Sequence, residues 1–393
     1  MWISLEARDH LREGALRDLL TDPANEHCLM NGSVFPDGGY VVDDDYGEIA
    51  HWEPFISGYI RWIRRSFDVP YTDGAAATHV VFLMGLAAHD MADMFFDSLF
   101  MRAARGEDAS GWANGLFDSL DSASDVLLVA DTGLDVTLEP WAPVDDLVAI
   151  YGELSYDADD SVIWSGQDFL QVVVQFGHDT GLNDPGRVQE YREQYPWSAA
   201  HLLDELEPGS PPGEALVVAA YWQALWDRLH GVENPENQII ATVPTAGSVG
   251  QPTDHTVVQS QVAIVFGYEV VRDTLAMTVS DQNGGEHAVE VHQWGNLVRL
   301  VPLADWPADT ELTVTVEGGV ETIAGVLFPD NWSFSFSTAA GAPDVPGGDP
   351  TPNTSAPSPT PDDGGCAATG GSHGLPLTLV LLFLIVLARR RFR

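Results

Sequence analysis

His89, Asp93 and Asp97 stand four residues apart in Gly85-Leu86-Ala87-Ala88-His89-Asp90-Met91-Ala92-Asp93-Met94-Phe95-Phe96-Asp97. They lie inside an apolar run from Val80 to Phe100 that contains no Pro. At 3.6 residues per turn the three share one helix face, with Phe82, Leu86 and Phe96 around it. An imidazole and two carboxylates in one buried line need compensation. A divalent metal would supply it, because imidazole nitrogen and carboxylate oxygen both ligate zinc. A polar seam, with His89 paired to Asp93 inside a helical bundle, is the other reading, and this stretch alone does not choose between them.

Three further places put His or Asp within reach of such a site. In Asn31-Gly32-Ser33-Val34-Phe35-Pro36-Asp37-Gly38-Gly39-Tyr40 the Gly and Pro residues predict a sharp turn holding Asp37 toward a cleft; an Asx-turn carboxylate is the alternative. His51 sits just ahead of a helix expected to start at Pro54, where it would ligate or pack among Trp52 and Phe55. Asp121 and Asp125, in Asp118-Ser119-Leu120-Asp121-Ser122-Ala123-Ser124-Asp125, are again i, i+4 on one face. Two carboxylates so close repel unless a cation or solvent separates them, and taken alone they read as solvated acids at a helix start.

The elements that must position these residues are helices. Within 1–235 an amphipathic helix is expected from the start to about Leu20, followed by helical segments over 54–66, 77–105, 112–131, 143–153, 165–177, 189–206 and 213–230. Trp222, Leu225, Trp226 and Leu229 repeat at i, i+3, i+4 and i+7, a core stripe. An all-α bundle follows. Aromatics such as Trp52, Phe55, Phe95 and Phe96 would line a mouth for acyl chains or fill that core. From 237 to 340 the pattern changes to short alternating runs: Val262–Phe266, Leu275–Val279, Leu297–Val301, Leu312–Val316 and Trp332–Phe336, separated by turns such as Asn283-Gly284-Gly285 and Pro329-Asp330-Asn331. Seven or so strands in about 100 residues predict a β-sandwich. His255, His287 and His292 are scattered over it without a catalytic constellation, so a spacer or adhesive role is expected there.

Charge and composition narrow the function. The formal net charge is −42, from 59 acidic and 17 basic residues, which repels nucleic acid. Hydrophobic residues make up 45% of the chain, with 12 Trp and 16 Phe, so the acidity coats globular domains. Cys28 and Cys366 are the two cysteines, too few for a disulfide framework. Residues 341–374 form a Gly/Pro/Ser/Thr-rich linker. Residues 375–393 hold an apolar block, Leu375 to Ala388, and then Arg389-Arg390-Arg391-Phe392-Arg393. As a helix the block spans about 21 Å, short of the ~30 Å hydrocarbon core. Its Arg cluster would stay cytoplasmic, leaving the rest of the chain outside. No secretory signal opens the chain; with an exported tail, Met1 is expected to be an internal Met taken as the start.

Taken in order, Phe35-Pro36-Asp37, His51 near a helix start, His89-x-x-x-Asp93 in an Ala/Gly-rich helix and an acidic i, i+4 pair resemble the zinc-dependent phospholipase C family. Its all-α fold is shared in outline with nucleases of the S1/P1 type. The resemblance covers roughly residues 1–140. It implies Asp37, His51, His89 and Asp93 as principal zinc ligands, with Asp37 also the candidate general base. Asp97 stands where the family has another His, and Asp121-x-x-x-Asp125 where it has His-x-x-x-Glu. Carboxylates in those places would favour Ca²⁺, Mg²⁺ or Mn²⁺ at a second site beside Zn²⁺. The family's N-terminal His, followed by one residue and Trp, would fall just before Met1, with Trp2-Ile3 as the end of the motif.

Residues 237–340 are similar to the SbsA-like bacterial Ig-like domain, through Val243-Pro244-Thr245-Ala246-Gly247, Val301-Pro302-Leu303, Ala324-Gly325 and Phe334-Ser335-Phe336-Ser337-Thr338. Gly364-Gly365-Cys366 with the apolar block and the Arg run resembles the myxobacterial-type C-terminal sorting signal, an ordinary tail anchor being the alternative. These resemblances imply an exported, metal-dependent phosphodiester hydrolase of phospholipase C type. It would act on a phospholipid or other phosphodiester at the cell surface, or be released from it, with transient membrane attachment through its tail. The alternative is a catalytically silent surface module with a degenerate metal site.

Overall fold

Close helix crossings set the frame of the N-terminal half. The computed structural model describes residues 1–108, 120–135, 137–180, 184–232 and 238–340, so the expectations for the linker and the apolar tail lie outside the described residues. Helices α1 (Trp2–His10), α2 (Ala15–Thr21), α3 (Glu26–Gly32), α4 (Phe35–Val41), α5 (Tyr46–Ala50), α6 (Glu53–Ser66) and α7 (Gly74–Phe95) come first. After a π turn at Phe96–Phe100 follow α8 (Met101–Glu107), α9 (Leu120–Thr132), α10 (Val144–Glu153) and α11 (Asp160–Thr180). Last come α12 (Pro185–Gln194), α13 (Pro196–His201) and α14 (Pro211–His230).

Helix α7 is the central post. Ala, Leu, Val and Met dominate it, and Val80 through Ala88 are almost wholly buried. The span Gly74–Glu107 is long and apolar enough to cross a membrane by length and composition, yet most of its apolar window is buried inside the protein. It serves as a core helix. Gly32 and Gly85 let α3 and α7 touch backbone to backbone: a Cβ on Gly85 would lie 2.3 Å from the Leu29 carbonyl oxygen, and one on Gly32 would lie 2.3 Å from that of Phe82. Helix α14 packs across α7, with Trp222 Nε1 donating to the Met84 carbonyl at 2.6 Å. Its ends are firmly set. The Ser210 hydroxyl accepts from Gly213 N, Pro stands in the first turn, and left-handed Gly231 closes the helix.

Three helical expectations need correction. The opening helix is broken after His10, because Leu11 is extended and Gly14 adopts φ 150°, a conformation that only Gly takes readily. The segment 189–206 is two helices, since Pro196 starts a new one at its first turn. Asp37 lies in α4 and not in a sharp turn. Pro36 suits a first turn, and Gly39 is there for contact: a Cβ on it would lie 2.3 Å from Gly47 N, so α4 and α5 meet at that pair.

Beyond the helices lies a two-sheet sandwich. One sheet runs β1 (Ile239–Val243), β2 (Val262–Phe266), β6 (Leu297–Pro302), β5 (Val289–Trp294); the other runs β10 (Trp332–Ser337), β7 (Glu311–Val316), β3 (Met277–Asp281), β4 (Glu286–His287). A small hairpin pairs β8 (Val320–Glu321) with β9 (Leu327–Phe328). All the pairings within these sheets are antiparallel. Strand β7 shows why: Leu312, Val314 and Val316 are buried while Thr313 and Thr315 are only partly covered. Strand β3 starts two residues later than the expected Leu275, because Arg272–Thr274 form a 3₁₀ turn capped by Leu275. Strand β2 is buried along its whole length. Val262, Ile264 and Phe266 enter the sandwich core, whereas Ala263 and Val265, with Leu297 of β6, join the helical core. The two halves therefore share a packed interface.

Candidate metal centre

The same close crossings deliver the polar groups of the site. Helix α7 projects His89, and the Gly32–Gly85 contact brings the Ser33 carbonyl to its Nδ1 at 3.0 Å. His51 follows α5, and its Nδ1 meets the Gly47 carbonyl at 2.7 Å. A carbonyl oxygen only accepts, so in both rings the proton sits on Nδ1. The Nε2 atoms of both rings then point inward, 3.0 Å apart, and in the neutral rings each presents a lone pair. Facing lone pairs repel unless a positive charge lies between them. Two nitrogens on one tetrahedral zinc would be separated by about 3.3 Å at ordinary bond lengths, close to the observed spacing.

Carboxylates complete the ring. Asp37 Oδ1 lies 3.8 Å from His89 Nε2, and Asp93 Oδ2 lies 3.9 Å from the Nε2 of both His51 and His89. Ligand atoms of Asp37, His51 and His89 all lie within 4.8 Å of one another. The imidazoles are inner, at 9% and 11% side-chain exposure, while Asp37 and Asp93 stand at 29% and 34%, so the site opens on its carboxylate side. Burial, helped by neighbouring His89, lowers the pKa of His51 against the pull of Asp93 and Asp37, which keeps a neutral ring ready to ligate. Backbone acceptors behind both rings are the usual way of fixing ligand orientation. Tyr40 packs on His51 and donates to Glu48 at 2.6 Å, and Trp52 Nε1 reaches the same carboxylate at 2.9 Å. The donor set, two imidazoles and two carboxylates, fits a divalent cation.

Of the residues predicted from sequence, Asp37, His51, His89 and Asp93 converge here. The expected shared face of His89, Asp93 and Asp97 spans the junction at which the α-helix passes into the π turn beginning at Phe96, and Asp97 lies in that turn. Asp97 instead acts, with Asp93, on Glu214 at the start of α14. Asp125 is exposed on α9 and acts on the α-amine of Met1, as do Asp37 and Glu214; burial nevertheless lowers the pKa of that amine. The side chain of Asp121 lies outside the described residues. Phe55 and Phe95 are buried core residues, and Phe96 stacks on Phe100. Sequence reasoning missed the two carbonyls of Ser33 and Gly47. It also missed an exposed group on the sandwich, Asp254, His255 and Asp305.

Comparison with known proteins adds two findings. Residues 233–338 match the family model of the bacterial Ig-like domain. A phosphatidylinositol-glycan-specific phospholipase D from Bos taurus is 28% identical over 159 residues, covering 37% of this chain and 19% of that protein. Its namesake from Mus musculus is 30% identical over 138 residues, covering 33% of this chain and 16% of that protein. The chain thus spans less than a fifth of the length of these curated relatives. They are named for phospholipase D, whereas the residue pattern resembles a phospholipase C family. Among solved structures, CopC from Methylosinus trichosporium OB3b aligns with 26% of this chain and 94% of its own at 11% identity and a TM-score of 0.22, a level that assigns no shared fold.

Proposed function

We propose that the helical half is a metal-dependent phosphodiester hydrolase acting on a phospholipid, carried at the cell surface beside the Ig-like sandwich. The observation that carries this reading is the pair of inward Nε2 atoms ringed by Asp37 and Asp93. The similarity to phosphatidylinositol-glycan-specific phospholipases D supports the substrate class. His51, His89, Asp37 and Asp93 would hold the ion, with zinc matching the imidazole pair. When bound, the ion supplies Lewis-acid polarisation of the phosphoryl oxygen and lowers the pKa of a water nearby. Asp37, on the open side, orients that water and accepts its proton. Tyr40 and the backbone carbonyls hold the imidazoles still. The acidic coat disfavours nucleic acid as substrate, and the Ig-like match supports an exported location.

C-type and D-type cleavage break opposite ester bonds of one phosphodiester, so products tell them apart. Mixed vesicles of phosphatidylcholine and phosphatidylinositol are incubated with the purified chain. Diacylglycerol marks C-type hydrolysis and phosphatidic acid D-type. Either product, lost on chelation and in His89→Ala, supports the proposal. Bound metal without any turnover would instead favour the catalytically silent surface module, a reading that the carboxylates at Asp97 and Asp125 keep in play.

A further inference from the structure

We propose that the Ig-like sandwich is a working part of the metal centre: the turn from β5 to β6 presses on Met94 and so holds the neighbouring Asp93 at the imidazole pair. This rests on the metal-dependent reading above and gives the sandwich a task beyond that of a spacer. Trp294 pairs with Leu297 across the turn, leaving Gly295-Asn296 as a two-residue loop. Gly295 takes φ 53°, in the left-handed region that glycine favours. It abuts α7 so closely that a Cβ there would lie 2.4 Å from Met94 Sδ. Met94 is 6% exposed and belongs to the helical core, as do Leu297 and, opposite it on β2, Val265. The loop is itself held stiff. The Asn296 carbonyl accepts from Phe266 N at 2.9 Å, and its buried Nδ2 donates to the Phe266 carbonyl at 3.2 Å. Gln293 Nε2 donates to the Val270 carbonyl at 2.7 Å and to that of Gly295 at 3.3 Å.

Asp93 needs such support because of where it sits. Helix α7 ends at Phe95, and the N–H of Phe96 is shared between the carbonyls of Ala92 and Asp93 as the π turn begins. The last turn of the helix is therefore poorly fixed by its own hydrogen bonds, and packing must set it. Two outside contacts meet it there. A Cβ on Gly209, ahead of α14, would lie 2.9 Å from the Phe95 carbonyl oxygen, and Gly295 of the sandwich meets Met94. The imidazoles are oriented from within the helical half, by the Ser33 and Gly47 carbonyls; the turn that carries Asp93 is set in part by the sandwich. Asp93 Oδ2 stands 3.9 Å from both Nε2 atoms. Metal–ligand distances hold to about 0.2 Å, so a shift of Met94 passed along one residue would be felt at the ion.

The test is the Zn²⁺ affinity of the full chain, measured by competition with a chromogenic chelator, with Co²⁺ absorption reporting ligand geometry and circular dichroism the fold. Met94→Ala empties the contact from the α7 side, and Asn296→Ala loosens it from the sandwich side. Val314→Ala, buried between the two sheets, is the control for lost stability. The expected result is Zn²⁺ affinity about tenfold weaker in Met94→Ala and in Asn296→Ala, each with an altered Co²⁺ spectrum, and wild-type affinity in Val314→Ala. In an Asp93→Asn background Met94→Ala should cost nothing more, since it acts through Asp93. Unchanged affinity in either contact variant, an equal loss in Val314→Ala, or full additivity with Asp93→Asn overturns the proposal while leaving the His51–His89 site standing. No Zn²⁺ binding by wild type removes the metal-dependent reading itself, and the proposal with it. Should Met94→Ala not fold, Asn296→Ala, which leaves α7 untouched, decides by the same readings.

Discussion

Two buried glutamates meet the two ends of α14, and their surroundings differ completely. Glu53 is 4% exposed and fully answered: Arg228 pairs with it, Ser57 Oγ donates at 2.5 Å and Tyr221 donates at 3.2 Å. Arg228 also donates to Ser57, reaches the Gly267 carbonyl at 3.4 Å and lies 4.1 Å over the Tyr268 ring. Burial alone would lower the Arg228 pKa; Glu53, together with Tyr221 and Tyr268, more than reverses that. Glu214, equally buried, has no hydrogen-bond partner among the described residues and has two carboxylates acting on it. A protein that closes one acid so thoroughly can supply arginine where structure needs it. The contrast teaches that burial of a carboxylate says little until its partner is known: Glu53 is answered by Arg228, Ser57 and Tyr221, and Glu214 has no hydrogen-bond partner among the described residues.

The sharpest way to break the comparison is to strip Glu53 of its answer. Arg228→Met keeps the stem's bulk and leaves a buried anion uncompensated, with a loss of about 3–5 kcal/mol. Urea unfolding should show that loss at neutral pH, and pairing the change with Glu53→Gln should recover much of it. If Arg228→Met were neutral, the ion pair would not be what holds the sandwich to α14.

A middle-sized effect tests the scaffold beneath the imidazoles. Gly85→Ala drives a methyl to 2.3 Å from the Leu29 carbonyl oxygen and 2.9 Å from Ser33 N, both backbone atoms that cannot swing aside. Overpacking of this kind costs about 1–3 kcal/mol. Because the Ser33 carbonyl orients His89, the same change should weaken cation binding measured by calorimetry. Lost stability with unchanged affinity would mean that the crossing supports the core and not the site.

These residues also mark what could be read from the chain itself. His89 and Asp93 follow from helical spacing alone, and their side chains lie 3.9 Å apart. The β half was legible because Thr and Ser alternate with Leu, Val and Phe along β7 and β10. Gly39 reads as a turn residue in the sequence because Gly serves both turns and close approach, and only the partner, here Gly47, distinguishes the two. Glu214 follows Pro-Pro-Gly at a helix start, where an acid ordinarily sits solvated by the helix dipole. Its burial comes from contacts made by residues over a hundred positions away, for which the local sequence holds no mark. The Ser33 and Gly47 carbonyls are invisible in the same sense, since every residue has one.

The smallest expected effect concerns Asp90, a third buried acid. It is 4% exposed, its oxygens have no hydrogen-bond partner among the described residues, and burial, then Asp93 and Glu53, raise its pKa well above the usual carboxylate value. A raised folded-state pKa means the folded form holds a proton that the unfolded chain has already released. Its contribution to stability is therefore complete below the ordinary Asp pKa and declines as pH rises through the folded value. Asp90→Asn removes that dependence while keeping shape. It should flatten the pH profile of the melting temperature above pH 4 and add about 1 kcal/mol at pH 8. A variant whose profile still fell in parallel with wild type would show that Asp90 keeps no proton on folding, and would place it with Glu53 among the acids the fold has already answered.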